Sequence, residues 1–134
     1  MPHSKSLSLY WRRVPQWYRL EGTRCSSCSS YYFPVRSICP ECRREGKLNN
    51  VKFSGRGTIE SYTTVHAPPA GFELQKPYTI GIIKLEEGPK LTAQIVDCEP
   101  GDVKIGGDVQ VVFRKIREGG GRGVIHYGYK FKPV

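Results

Sequence analysis

The chain lacks any run near the ~20 apolar residues that a membrane-spanning helix needs, so it is not expected to cross or bind a membrane. Met1–Arg13 has no uninterrupted apolar core ahead of its basic pair, so a secretory signal is not expected either. Histidine is scarce: His3, His66 and His126 have no evident partner that would orient them as bases, and neither a paired-carboxylate nor a nucleophile motif is present. At 134 residues, with 38% apolar residues, the chain is too small for a large enzyme with its own deep core. Its cysteines are odd in number, four in two close pairs and Cys98 alone downstream, unlike a secreted disulfide framework. A reduced, cytoplasmic protein is the expectation. No internal repeat or low-complexity tract is present.

What the chain has in quantity is turn formers and cations. Fifteen glycines and ten prolines favour short strands and turns over long helices. Lys+Arg number 21 against 12 Asp+Glu, a formal charge of +9. Three zones follow: an amphipathic helical segment (1–20), a zinc ribbon (21–47) and a barrel (48–134). In the first, Leu7, Tyr10/Trp11, Val14 and Trp17/Tyr18 form a helical stripe, and Pro15 inside it predicts a kink or two short helices. In the third, five strands are expected near Val51–His66, Tyr78–Glu86, Lys90–Asp97, Asp108–Arg117 and Gly123–Lys132, with Glu87-Gly88-Pro89 as a hairpin turn. Gly55 and Gly57 suggest a bulge or bend in the first strand, and Glu99–Gly107 a linker closing one end. The fold class is mainly β: a short helix or helix pair, a rubredoxin-like ribbon and a five-stranded OB-fold barrel.

The strongest chemical signal is C-x2-C-x10-C-x2-C, formed by Cys25, Cys28, Cys39 and Cys42. Zn2+ favours four thiolates in a tetrahedron, and two knuckles supply two each. All four positions are filled by protein, so the site is structural. Iron in a rubredoxin-like site and a pair of redox dithiols are the alternatives. Four thiolates around one Zn2+ carry a charge of −2, and Arg24, Arg36, Arg43 and Arg44 stand close in sequence to offset it. Residues 1–50 hold 9 basic and 3 acidic groups and residues 51–134 hold 12 and 9, so the barrel is only modestly basic.

The second signal is the chain end. Arg114, Lys115, Arg117, Gly119–Gly121, Arg122 and Lys130 surround Tyr127 and Tyr129, cations and rings suited to phosphates and a purine. That pattern fits the nucleotide end of coenzyme A or single-stranded nucleic acid; equally, the rings fill the barrel and the cations are a solvated face. The loop carrying Tyr62, His66, Pro68-Pro69, Phe72 and Tyr78 offers one unpartnered histidine, more simply a surface residue. Cys98 reads as a small buried residue. Tyr10, Trp11, Trp17 and Tyr18 offer a partner-docking surface or, alternatively, internal packing.

Taken in order, these pieces resemble a known family: the aromatic basic helix, the four-cysteine ribbon with Phe33-Pro34 before Cys39-Pro40, and Phe53-Ser54-Gly55-Arg56-Gly57-Thr58, then Pro77-Tyr78, Leu85-Glu86-Glu87-Gly88-Pro89, Ile105-Gly106 and Val111-Val112-Phe113. The family is the zinc-ribbon and OB-fold family catalogued as domain of unknown function thirty-five. Phe113–Arg117 and Ile125–Phe131 look most like its archaeal type. The resemblance implies a non-catalytic acyl-CoA-binding or scaffolding subunit, not an enzyme in its own right, with structural Zn2+ and a CoA or acyl-CoA ligand. Its implied partners are acetoacetyl-CoA thiolase and 3-hydroxy-3-methylglutaryl-CoA synthase of the mevalonate route. One departure is that Ser29 and Arg43 follow the cysteine pairs, where such knuckles often carry glycine. The alternative is a single-stranded nucleic-acid-binding module.

Overall fold

The computed structural model of the chain describes residues 7–118 and 124–134. The chain divides into two compact units, meeting at Phe53/Ser54. Among the described residues no helix is long and apolar enough to cross a membrane.

The first unit begins with two six-residue helices, α1 (Leu7–Arg12) and α2 (Val14–Arg19). Pro15 falls in the first turn of α2, where its missing N–H costs nothing, so of the kink or two short helices expected here the chain forms the two helices, broken at Arg13. Neither helix has a fully buried residue. Leu20 ends α2 in the left-handed region (φ 51) and is itself buried. Next come β1 (Glu21–Cys25), β2 (Tyr31–Tyr32) and β3 (Leu48–Lys52), an antiparallel sheet in the order β2-β1-β3. Phe53 is its apolar centre, with the Tyr31 and Phe33 rings at 6.2 and 6.1 Å.

This corrects the sequence reading in one place. The run expected as a single strand, Val51–His66, is two strands in two units. Leu48–Lys52 pairs along its whole length with β1, from Cys25↔Leu48 to Glu21↔Lys52, and the first compact unit runs to Phe53. Alternation in sequence reads the same on either side of such a break. Gly55 follows it with φ 82, and a Cβ there would run into the Val111 side chain.

In the second unit β4 (Arg56–Val65), β5 (Tyr78–Leu85), β6 (Lys90–Ile95), β7 (Asp108–Glu118) and β8 (Ile125–Pro133) close in the order β4-β5-β6-β8-β7. Closure is one parallel pair, Ile95↔Phe131, plus the Val96 N–H on the Phe131 carbonyl at 2.8 Å. Alternate inward residues, Ile59, Ile83, Leu85, Leu91, Ile95, Val109 and Phe131, make the core. The bulge in β4 lies between Ile59 and Ser61, beyond the two glycines expected to hold it. The Leu85–Pro89 turn is closed by Gly88 N–H on Leu85 O (3.0 Å) and Leu85 N–H on Pro89 O (2.9 Å). In the segment before β7, Val103 is buried and Ile105 exposed, while Gly106 N–H and Gly107 O bond the backbone of Ile59. The triple glycine 119–121, Arg122 and Gly123 lie outside the described residues.

Candidate functional site

The ribbon sheet places Cys25 at the end of β1, and the two knuckles fold over it. Cys25 and Cys39 are fully buried. All four sulfurs lie within 4.8 Å of one another, with Cys25–Cys42 at 3.8 Å and Cys28–Cys39 at 3.6 Å. Zn–S bonds of about 2.3 Å in a tetrahedron put sulfurs about 3.8 Å apart, whereas a disulfide needs about 2.05 Å. The spacing fits a four-thiolate ion site, and none of the cysteines is bridged.

Backbone N–H groups support each knuckle. Those of Cys28 and Ser27 bond Cys25 and hold its thiol below the ordinary range. The Cys42 N–H donates to Cys39 Sγ at 3.5 Å. Cys39 is held down to about 6, first by the Tyr32 hydroxyl 3.5 Å from its sulfur. Cys42 is pushed up to about 12, first through its contact with Cys28, because one more charge in a crowded sulfur cluster is unfavourable without a cation. The four cysteines would hold a divalent ion here, which would supply that cation and favour loss of the remaining thiol protons.

Two residues that the cysteine spacing did not flag complete this centre. Gly46 leaves room for it: a Cβ there would stand 2.8 Å from Cys39 Cβ, 3.0 Å from Cys42 Cβ and 3.4 Å from Cys25 Sγ. Tyr32 bonds the cluster directly, and the Arg36 guanidinium covers its ring at 5.4 Å, while Arg24 covers Tyr31 at the same distance. Of the four arginines expected to offset the centre's charge, Arg36 thus reaches it through the Tyr32 ring. Ser29 (φ 58) and Arg43 (φ 53) both take the left-handed conformation that glycine usually fills in such knuckles.

The proposed ligand residues divide between the two faces of the β7–β8 ribbon. Register pairs Val111 with Phe131, Phe113 with Tyr129 and Lys115 with Tyr127, so these share the core-side face. On that face the exposed rings of Phe113 and Tyr127 stack at 5.4 Å with 10° between planes, and burial pushes the Tyr129 hydroxyl up to about 12. Val112 pairs with Lys130 and Arg114 with Gly128, so Arg114 and Lys130 share the opposite face. Arg114 is tied to Asp97 at 2.9 Å. Arg117 lies past the register shift, against His126. The single cluster suggested by the sequence is therefore two half-clusters. His66 is exposed, and Cys98 is only partly buried.

On the N-terminal helices, the Tyr10 hydroxyl donates to that of Tyr18 at 3.1 Å and their rings meet edge-on at 6.5 Å. Trp17 is half-buried, and Trp11 is 77% exposed.

Family models match both parts of the chain: the ChsH2 rubredoxin-like zinc ribbon domain over residues 15–48 and the ChsH2 C-terminal OB-fold domain over residues 50–114. A DUF35 domain-containing scaffold protein of Methanothermobacter thermautotrophicus is 53% identical over 123 residues, which is 92% of each chain. A probable enoyl-CoA hydratase alpha subunit of Thermomonospora curvata is 31% identical over 72% of this chain, but that match covers only 30% of the larger protein. The solved structure of an Ltp2-ChsH2(DUF35) aldolase superimposes with a TM-score of 0.71 at 26% identity, over 96% of this chain and 94% of that one. With ribbon and barrel matched in the same order over nearly its whole length, the chain belongs to the DUF35 family.

Proposed function

We propose that this protein is a non-catalytic accessory subunit that binds acyl-CoA and scaffolds an acyl-CoA enzyme assembly. The observation that carries the reading is the 53% identity to a protein named as a scaffold over nearly the whole of both chains. Two further likenesses support the acyl-CoA half: one relative is named as a hydratase subunit acting on an enoyl-CoA, and the ChsH2 chain is solved with an aldolase. The closed four-thiol centre supports a structural role for the metal, because protein sulfurs fill every tetrahedral position.

The partners we propose are acetoacetyl-CoA thiolase and 3-hydroxy-3-methylglutaryl-CoA synthase, as the family resemblance implies. Tyr10, Trp11, Trp17 and Tyr18 would dock one partner, since aromatic residues carry much of the binding energy at protein interfaces. The barrel would meet the other partner or its substrate. The test is co-purification of the untagged protein from its own cells, followed by deletion of residues 1–20. The intact chain should bring down a thiolase or synthase, and the truncated chain should lose it while keeping its metal. Turnover of acyl-CoA by the isolated protein would overturn the accessory reading.

One observation favours a second reading. The exposed Phe113–Tyr127 stack with Lys115 on the same face suits a single-stranded nucleic acid. Steep salt dependence of binding to a short oligonucleotide would favour it.

A further inference from the structure

Lys130 is the one charged side chain among the buried residues described in the barrel. It is 6% exposed, yet no carboxylate among the described residues lies within ion-pair distance of it. Its Nζ contacts one neutral acceptor, Gln75 Oε1, at 3.4 Å. The same oxygen takes a second hydrogen bond from Gln94 Nε2 at 3.3 Å. An ammonium has three donors, and a buried cation without an anion is costly to keep. Arg114, on the same face of β7–β8, adds positive charge and forms an exposed ion pair with Asp97 at 2.9 Å. Burial, and then Arg114, depress the Lys130 ammonium below its ordinary range.

Gln75 comes from the long β4–β5 connection. It ends a three-residue 3-10 turn, Glu73–Gln75, closed by the Gln75 N–H on Phe72 O at 3.0 Å. Leu74, beside it, lies wholly in solvent. Among the described residues the side-chain amide of Gln75 ties this turn to the barrel wall, its oxygen accepting from both Gln94 and Lys130.

We propose that Lys130, with Arg114 beside it, anchors a covered oxyanion site on the outer face of the barrel, and that Gln75 is the cap which a phosphate or pyrophosphate group displaces. The phosphate chemistry stands on the uncompensated lysine. Coenzyme A as its biological source rests on the acyl-CoA reading above.

The experiment is calorimetry of the full-length, metal-loaded protein with two separate probes, inorganic pyrophosphate and coenzyme A, for wild type, Lys130→Met, Gln75→Ala and Gln75→Glu. Lys130→Met should weaken pyrophosphate at least tenfold while the barrel melts no lower than wild type. Gln75→Ala should tighten it severalfold by removing the competitor, and Gln75→Glu should weaken it at least tenfold by supplying an internal carboxylate. Amide exchange at Phe72–Lys76 should quicken when pyrophosphate saturates the protein. If Lys130→Met fails to fold, the opposed effects of the two Gln75 variants still decide. Pyrophosphate binding that depends on Lys130, without coenzyme A binding, upholds the site and removes the acyl-CoA source. Coenzyme A binding that none of the three variants alters overturns the site and leaves the acyl-CoA reading in place. Failure of wild type to bind either probe overturns both.

Discussion

The Tyr32 hydroxyl stands 3.5 Å from the Cys39 sulfur, and the Arg36 guanidinium lies over the Tyr32 ring at 5.4 Å. The pair forms a relay from a surface cation to a buried ligand. Arg36 is fixed in turn by its backbone N–H on the buried Thr23 Oγ1 at 3.3 Å. A phenol that donates to a thiolate spreads its charge and lowers its tendency to take a proton in place of the metal.

Tyr32→Phe should therefore keep the fold and lose metal affinity by about tenfold, the lower end of outer-shell effects. Chelator competition measures this directly. A Co2+-loaded sample should also show a shifted sulfur-to-metal charge-transfer band. Unchanged release and an unchanged band would reduce Tyr32 to a packing residue.

Ser29 and Arg43 hold the left-handed conformation at φ 58 and φ 53. For a residue with a Cβ that conformation costs about 1 kcal/mol, and glycine avoids it. Ser29→Gly and Arg43→Gly should each slow metal loss from the ribbon, whereas Ser29→Ala should not. Arg43→Gly also removes a charge near the centre, so Ser29→Gly is the cleaner measurement.

Gly46 is a site where a single methyl group has nowhere to go. Its neighbours, Cys39 and Cys42, are both constrained by the sulfur cluster. Gly46→Ala should destabilise the ribbon by about 2 kcal/mol through overpacking, with metal content falling below one equivalent. Melting of the barrel should change little, because Gly46 belongs to the other compact unit.

Tyr129 gives the barrel an alkaline limit. Its hydroxyl is pushed up to about 12 by burial, from an ordinary value of 10.0. Unfolded chains release this proton first as pH rises, so the contribution is complete below pH 10 and is lost between about 10 and 12. Tyr129→Phe should flatten the stability profile of the barrel over that interval, read by thermal unfolding at stepped pH. A variant with the same alkaline slope as wild type would refute the assignment.

The thiol centre was legible in sequence because metal ligation fixes both residue type and spacing: C-x2-C-x10-C-x2-C states the site almost completely. Barrel strands such as Asp108–Glu118 were legible through alternation, and the Gly88 turn through its residue types. The break at Phe53 was not, because β3 and β4 follow each other with the same strand-forming residues, and only the pairing of Leu48–Lys52 with β1 separates them. The split of the cationic chain end follows from period two, since Lys115 and Lys130 face opposite ways, but a register must be known before that period sorts them. Gln75 and Lys130 are 55 positions apart, and no local pattern joins them.

Closure of the barrel through Ile95 and Phe131 has a consequence for how the protein is made. The strand that seals the seam, β8, is the last in chain order, whereas the four thiols and all three ribbon strands precede Ser54. Domains fold N-terminal first as the ribosome releases them. The ribbon can therefore take its metal while the remainder is still an open four-stranded sheet, β7-β4-β5-β6, with β6 and β7 as bare edges. Those edges are the interval's hazard, since unpaired strand edges recruit other chains. The nascent protein is thus most prone to aggregate after its metal centre is finished and before β8 emerges, so metal starvation and barrel misfolding are separate failures at separate times.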